Sequence, residues 1–150
     1  MILNTGNTSM KTGLERIKKN APVDVVGIGS ALLDLIVDIQ DDALGRMGLV
    51  KGSMQLIDEK RSGEIMGLIK DMEVRMAPGG SAANTVAGLS RLGGAGLFLG
   101  KVGRDTNGDI YIRETEHSGI ESSIVRDDGL TGHAITFITP DSERSKERRV

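Results

Sequence analysis

The stretch "PGGSAANTVAGLSRLGG", Pro78 to Gly94, sets two adjacent glycines before a run of small residues, an asparagine and an apolar ladder. Glycines there keep side chains away from one point of the backbone. Either a tight turn feeds a helix, since glycine takes positive φ without penalty and Ser81 is placed to cap that helix, or a ligand lies on the turn itself. Asn84 then falls on the first turn of that helix, where free N–H groups and the positive dipole end favour polar or anionic groups. A carboxylate forms the second centre of chemistry. In "GSALLDLIVDI" the apolar run from Leu32 to Ile39 is broken by Asp34 and Asp38, and a buried carboxylate needs a partner or water. One reading puts both on the wet face of an edge strand, alternating with Leu33, Leu35 and Val37. The other turns Asp34 toward a polar ligand at the carboxyl end of the preceding strand, where open α/β sheets bind small molecules.

Other motifs are weaker. "GNTSMKT" nearly spells a phosphate loop, but Met10 stands where the last glycine should precede Lys11 and Thr12, and no strand leads into it. Gly27 and Gly29 give G-x-G without a third glycine, because Leu32 holds that place, so a dinucleotide fingerprint is not met. His117 and His133 have no second histidine at metal spacing and read as solvated or core-edge side chains. No residue here reads as catalytic or as a metal ligand.

The elements that must position these residues are set by pattern. Val23, Val25, Val26 and Ile28 predict a strand buried on both faces. Asp58 is placed to cap a helix with the apolar stripe Ile65, Leu68, Ile69 and Met72. The next helix begins after Ser81, turns Val86, Leu89 and Leu92 inward, and ends at Gly93 and Gly94. Leu97 to Val102 predicts another buried strand, and the next helix runs from Thr106 to Ser118 with Gly119 beyond its end, Thr115 interrupting its apolar face. "SSIVRDDGLTGHAITFIT" predicts two strands around an Asp-Gly turn.

With 150 residues the chain can bury a core as one domain, and 38% hydrophobic, 27% charged residues and a net charge of -2 describe a globular chain with no bulk basic charge for nucleic acid. Zero cysteines exclude disulfides and thiolate chemistry and fit a reducing interior. The three aromatics, Phe98, Tyr111 and Phe137, are too few for a base-stacking platform. The first residues lack the apolar stretch of a signal peptide or membrane helix, so a cytoplasmic protein with no membrane partner is expected, with residues 1–20 as a flexible leader.

Taken together, "VVGIGSALLD", "APGGSAANTVAGLSRLGG", "GKVGRDTNGD" and "TGHAITFITPDSER" resemble, in order, the N-terminal blocks of the PfkB or ribokinase-like carbohydrate kinases, and "GSALLDLIVDI" with "KGSMQLID" is most similar to the adenosine-kinase-like branch. The resemblance covers about residues 23 to 145 and implies an α/β fold of three layers, a central mostly parallel sheet with flanking helices, plus a small β lid. Residues 21–150 would then be the N-terminal part of such a domain, with lid segments at about 36–57 and 131–140. It further implies that Gly79 and Gly80 lie against a sugar, that Asn84 and Asp34 bind its hydroxyls, and that Met54 and Leu56 reach it from the lid. Ser30 stands where the nucleoside branch often carries asparagine, at a ribose contact. The implied partner is a small sugar or nucleoside, adenosine favoured, phosphorylated by ATP with Mg2+ in full-length relatives. No residue of this chain is assigned to ATP, because the Gly-Ala-Gly-Asp block that supplies the family's general base and anion hole does not occur. The tail "SKERRV" shows none of the relatives' strand continuation, so a chain incomplete at its C-terminus is expected, as truncated product, fragment or frameshift. It would be inactive alone, and either a homo-oligomer or completed by a C-terminal chain. The alternative is a non-catalytic binding module of the same fold.

Overall fold

The computed structural model describes residues 22–141 and 144–149. The near-miss phosphate loop and the leader lie outside the described residues. Among the described residues, eight strands and four helices run in chain order: β1 (Val25–Ile28), β2 (Leu32–Asp38), α1 (Asp41–Arg46), β3 (Met54–Leu56), α2 (Glu59–Ile69), β4 (Val74–Gly79), α3 (Ser81–Arg91), β5 (Gly96–Gly103), α4 (Thr106–His117), β6 (Glu121–Asp127), β7 (His133–Ile138) and β8 (Arg144–Arg149). They divide into two compact units, one of residues up to 32 and 78–131, the other of residues 33–77 and 132–150.

The first unit is built on a three-stranded sheet in the order β1-β5-β6, all parallel. β5 lies in the middle and is its most apolar strand, with Leu97, Phe98 and Val102 buried. Helix α3 packs on β1 because side chains are missing there. A Cβ at Gly27 would lie 2.7 Å from Val86 Cγ2 and one at Gly29 would lie 2.9 Å from Ala82 Cβ. The G-x-G pair therefore serves helix-on-strand packing. β1 corrects an expectation. Val25, Val26 and Ile28 are exposed, not buried on both faces, since among the described residues β1 pairs with β5 alone. Leu92, expected to face inward, is 88% exposed, because α3 ends at Arg91 and Leu92 is its C-cap.

The second unit carries a five-stranded sheet in the order β3-β8-β7-β2-β4. β7 runs parallel to β2 and antiparallel to β8, and β3 runs parallel to β8. The period of two sorts β2: Leu33, Leu35 and Val37 are fully buried, whereas Asp34 is half-buried and Asp38 exposed. On the same face lie Ile135 and Phe137 of β7 and Ser145 and Glu147 of β8, all fully buried. Helix α2 covers this face with Ile65 and Ile69, and its N-terminus is capped by Asp58 Oδ1, which accepts from Arg61 N at 2.7 Å. Leu68 and Met72 are exposed, so the apolar stripe is narrower than the sequence pattern predicts.

Three further differences are physical. β2 is not an edge strand, since β4 pairs outside it. The two strands flanking Asp128 and Gly129 do not form a hairpin: β6 joins β5 in one sheet and β7 joins β2 in the other, because buried parallel neighbours outweigh a local turn signal. The charged tail does form a strand, β8, since the edges of β7 and β3 supply its backbone partners.

Candidate substrate site

Two groups of the sequence-selected residues take shape, one in each unit. In the first, Gly80 has φ +99° and is the residue before α3, with Ser81 as the first helical residue. Gly80 is the N-cap and Ser81 the residue after it, which corrects the assignment of Ser81 as N-cap. The group that comes close at Gly80 is the protein itself: a Cβ there would overlap the Ser30 carbonyl oxygen. Ser30 and Gly80 are thus neighbours, and the turn is shaped by the backbone of the β1–β2 connection. Gly79 is buried, and its carbonyl accepts from the fully buried Tyr111 hydroxyl at 3.1 Å. Asn84 donates its backbone N–H to Gly80 O at 2.9 Å, which closes the first turn, and the residue is exposed. Ser30, Gly79, Gly80 and Asn84 therefore form one constellation at the N-terminus of α3, where the first N–H groups have no helical acceptor.

In the second unit, register defines a face opposite the core. Asp34 pairs with Ala134, Ala134 with Arg148, and Arg148 with Leu56; Ile36, Thr136, Lys146 and Met54 make the adjacent row. Asp34, Met54 and Leu56 thus share one sheet face, with Met54 65% and Leu56 73% exposed. Met54 and Leu56 on β3 stand three strands across from Asp34 on β2, so this face carries a carboxylate toward one side and open apolar side chains at the other, which suits a ligand with both hydroxyls and an apolar surface. Lys146, which sequence reasoning set aside as tail, reaches Asp34 at 3.4 Å. At the far end of the same face Arg75 holds Asp38 through both carboxylate oxygens at 2.9 and 3.0 Å. Asp38 is thereby committed to an ion pair. Beside it a recess of about 320 Å³ is lined by Asp38, Ile39, Gln40, Ile138, Thr139 and Pro140. No sequence signal marked it, because its walls are brought together by β2 and β7 pairing.

The block "GKVGRDTNGD" is occupied by its own atoms. A Cβ at Gly103 would overlap Gly129 O, and one at Gly108 would overlap Gly103 O. Asp105 caps α4 by accepting from Gly108 N at 2.8 Å and also takes the Thr131 N–H at 2.9 Å and the Thr131 hydroxyl. Burial pushes the Asp105 carboxyl up, yet the hydrogen bonds from Thr131 and Gly108 outweigh it and hold the pKa below its ordinary value. This turn is a structural joint with no room for a phosphate. Among the described residues no group of three or more His, Asp or Glu side chains is placed to hold a metal. The described residues of this turn do not fit Mg-ATP.

His117 is exposed, and His133 is buried with Nε2 2.6 Å from Ser62 Oγ, so both keep structural surroundings. No described helix is long and apolar enough to cross a membrane.

The fold is an α/β fold of the ribokinase-like type, of which the chain spans a part. Residues 48–147 match the pfkB family carbohydrate kinases, and the chain belongs to that family. It is 30% identical over 122 residues to an adenosine kinase of Saccharomyces cerevisiae, covering 77% of this chain and 36% of that protein. A probable fructokinase-7 of Arabidopsis thaliana is 36% identical over 73 residues, covering 49% of this chain and 21% of the fructokinase. Among solved structures, the adenosine kinase of Sinorhizobium meliloti superposes with a TM-score of 0.71 at 36% identity, covering 86% of this chain and 39% of that one. The apo adenosine kinase of Trypanosoma brucei brucei gives 0.73 at 28%, covering 85% and 40%. The chain thus spans between a fifth and two fifths of the length of these relatives.

Proposed function

We propose that this chain supplies the acceptor side of a carbohydrate or nucleoside kinase and binds a ribose-type substrate, adenosine favoured. Asp34 accepts hydrogen bonds from substrate hydroxyls. Asn84 offers an amide that both donates and accepts, Gly79 and Gly80 allow close backbone approach, and Ser30 adds a hydroxyl. Met54 and Leu56 offer apolar contacts to the non-polar part of the ligand, where excluding water protects the transfer. The observation that carries this reading is that a hydroxyl acceptor, Asp34, and two exposed apolar side chains, Met54 and Leu56, lie on one face of the same sheet in a chain of the pfkB family. Phosphoryl transfer also needs a general base and a cradle for the nucleotide, neither of which this chain's residues provide, so the 150-residue chain binds without transferring phosphate.

Titration calorimetry of the chain with adenosine, ribose and fructose tests the reading. Adenosine should bind most tightly, and Asp34→Ala and Asn84→Ala should each weaken it by about 1–3 kcal/mol, because each leaves ligand hydroxyls unpaired. Asp38→Ala should change it little, since Arg75 holds both oxygens of that carboxylate, whereas Lys146 reaches only Oδ1 of Asp34, at 3.4 Å. Absence of binding by any of the three, or an equal effect of Asp34→Ala and Asp38→Ala, overturns the assignment.

A further inference from the structure

The least ordinary group in the molecule lies outside the candidate site. Glu147 sits in the middle of β8 with 0% exposure, and neither carboxylate oxygen has a hydrogen-bond partner. Its place on the sheet explains why. Ile135 is opposite it on β7, and beyond Ile135 lies Leu35 of β2, both fully buried. Ser62 Oγ on α2 meets His133 on β7, so the helix closes over this face, and Gly52 N donates to Ser145 Oγ at 3.0 Å beside it. An ionised carboxylate so placed has neither water nor donors to replace it, while the neutral acid is tolerated at much lower cost.

The charged and titratable groups around it do not rescue the anion. From α2, the Arg61 guanidinium attracts the carboxylate but is outweighed by burial, and it donates to Met47 O and to Glu64 Oε2 at 3.1 Å, not to Glu147. From β7, His133 is held by Ser62. β2 presents only Leu33, Leu35 and Val37 to this face, and the register sets Gln55 of β3 beside Glu147 and Arg149 opposite His133. The segment before α2 contributes buried Ala43, Leu44, Met47 and Leu49, while Asp41 and Asp42 are exposed. Lys146 and Arg148 alternate to the other face. Burial accordingly pushes the Glu147 carboxyl above its ordinary value, with Arg61 opposing.

We propose that Glu147 is a proton-operated latch on the outer two strands of the five-stranded sheet: the protonated acid lets β8 dock between β7 and β3, and its ionisation releases β8. Because the sheet order is β3-β8-β7-β2-β4, β3 is joined to the sheet only through β8 among the described residues. Release of β8 therefore frees β3 as well and leaves the three strands β7-β2-β4. Linkage sets the direction. A carboxyl with a raised native pKa binds its proton more tightly folded than unfolded, so docking is strongest in acid and is lost as pH rises from the ordinary value of 4.5 through the native one.

Hydrogen exchange of the full chain, corrected for the intrinsic pH dependence of exchange, tests this. Between about pH 5 and pH 8, protection in peptides spanning 144–149 and 54–56 should fall about tenfold or more, while 33–38 keeps its protection. Glu147→Gln should abolish that dependence and Glu147→Leu should give high protection at both pH values. Loss of protection in 33–38 in step with 144–149, an unchanged dependence in Glu147→Gln, or its disappearance in His133→Asn would overturn the latch. Should either Glu147 variant fail to fold, the carboxyl carbon of Glu147 in the unmodified chain decides by NMR. Titration above the ordinary range, together with the loss of β8 protection, supports the latch, and titration at the ordinary value overturns it.

Discussion

At the three-stranded sheet, α3 rests on glycines: Gly27 and Gly29 leave space that Val86 and Ala82 fill. At the five-stranded sheet, α2 rests on side chains, with Leu33, Leu35, Val37, Ile135 and Phe137 all fully buried beneath it. The first arrangement brings backbones close and fixes turns; the second buries apolar area at roughly 25 cal/mol per Å² and tolerates small changes of shape. Their weaknesses differ accordingly. A glycine joint fails when any atom is added, whereas the apolar face has its one weak point at a carboxyl, Glu147. The exposed surfaces differ as well. β1 leaves Val25, Val26 and Ile28 open, while the second sheet pairs its outward charges as Asp34 with Lys146 and Asp38 with Arg75.

The comparison breaks most sharply at Gly80. Alanine there must hold φ near +99° and push its Cβ into the Ser30 carbonyl, so Gly80→Ala should cost about 2–4 kcal/mol in denaturant unfolding. A loss below about 0.5 kcal/mol would mean that the β1–β2 connection can move aside, and that the glycine serves a ligand first.

Asp105 is the next test. Its carboxylate caps α4 and holds Thr131, so Asp105→Ala should cost about 1–2 kcal/mol at neutral pH. Its native pKa is lowered, so this contribution is complete above the ordinary value of 3.8 and fades as pH falls through the native value. The stability gap between the unmodified chain and Asp105→Ala should therefore narrow only in acid, which urea titrations at a series of pH values would read. Glu147 contributes with the opposite sign, being most favourable in acid.

Much of this was legible in the sequence, for reasons that particular residues show. The alternation of Leu33, Asp34, Leu35, Ile36 and Val37 set the faces of β2, because side-chain period is a local property of an extended chain. Asp58 and Gly119 marked helix ends for the same reason: capping is local. Pairing is not local. The turn signal at Asp128 and Gly129 suggested a hairpin, but β6 and β7 found parallel partners about 20 or more residues away in sequence, β5 for one and β2 for the other. The strand in "SKERRV" was hidden because its serine and charged residues carry no β preference, and only the waiting edges of β7 and β3 make it extended. Lys146 beside Asp34 was invisible for that reason. Gly80 was legible as a special position, but not that Ser30 was its cause.

Gly67 sharpens the comparison in the favourable direction. It lies in α2, exposed, and a Cβ there would meet nothing within 4 Å. Gly67→Ala should stabilise the chain by about 0.5–1 kcal/mol, since alanine restricts the unfolded chain and favours helix. Paired with Gly80→Ala, it separates glycines kept for space from those that are merely tolerated; destabilisation by Gly67→Ala would show an unrecognised packing demand on α2.

The smallest effect on folding is expected at the open edge of the first sheet, where it should instead appear in association. Ile28 is 75% exposed and Val26 is 49% exposed, on a strand whose outer edge is unpaired among the described residues. An apolar strand edge offers both backbone hydrogen bonds and a surface to a second chain, and lysine at such an edge opposes that approach by charge and solvation. Ile28→Lys should leave thermal stability within about 0.5 kcal/mol, because almost no buried area is lost. It should nevertheless lower the sedimentation-average mass, or the concentration dependence of light scattering, at neutral pH. Val26→Lys should act the same way and more weakly, while Val125→Lys, at 46% exposure on β6 away from β1, provides the control at the opposite edge. If both β1 variants associate as the unmodified chain does, the self-adhesive surface lies elsewhere, and Met54, Leu56 and Met76 of the second sheet become the next residues to charge.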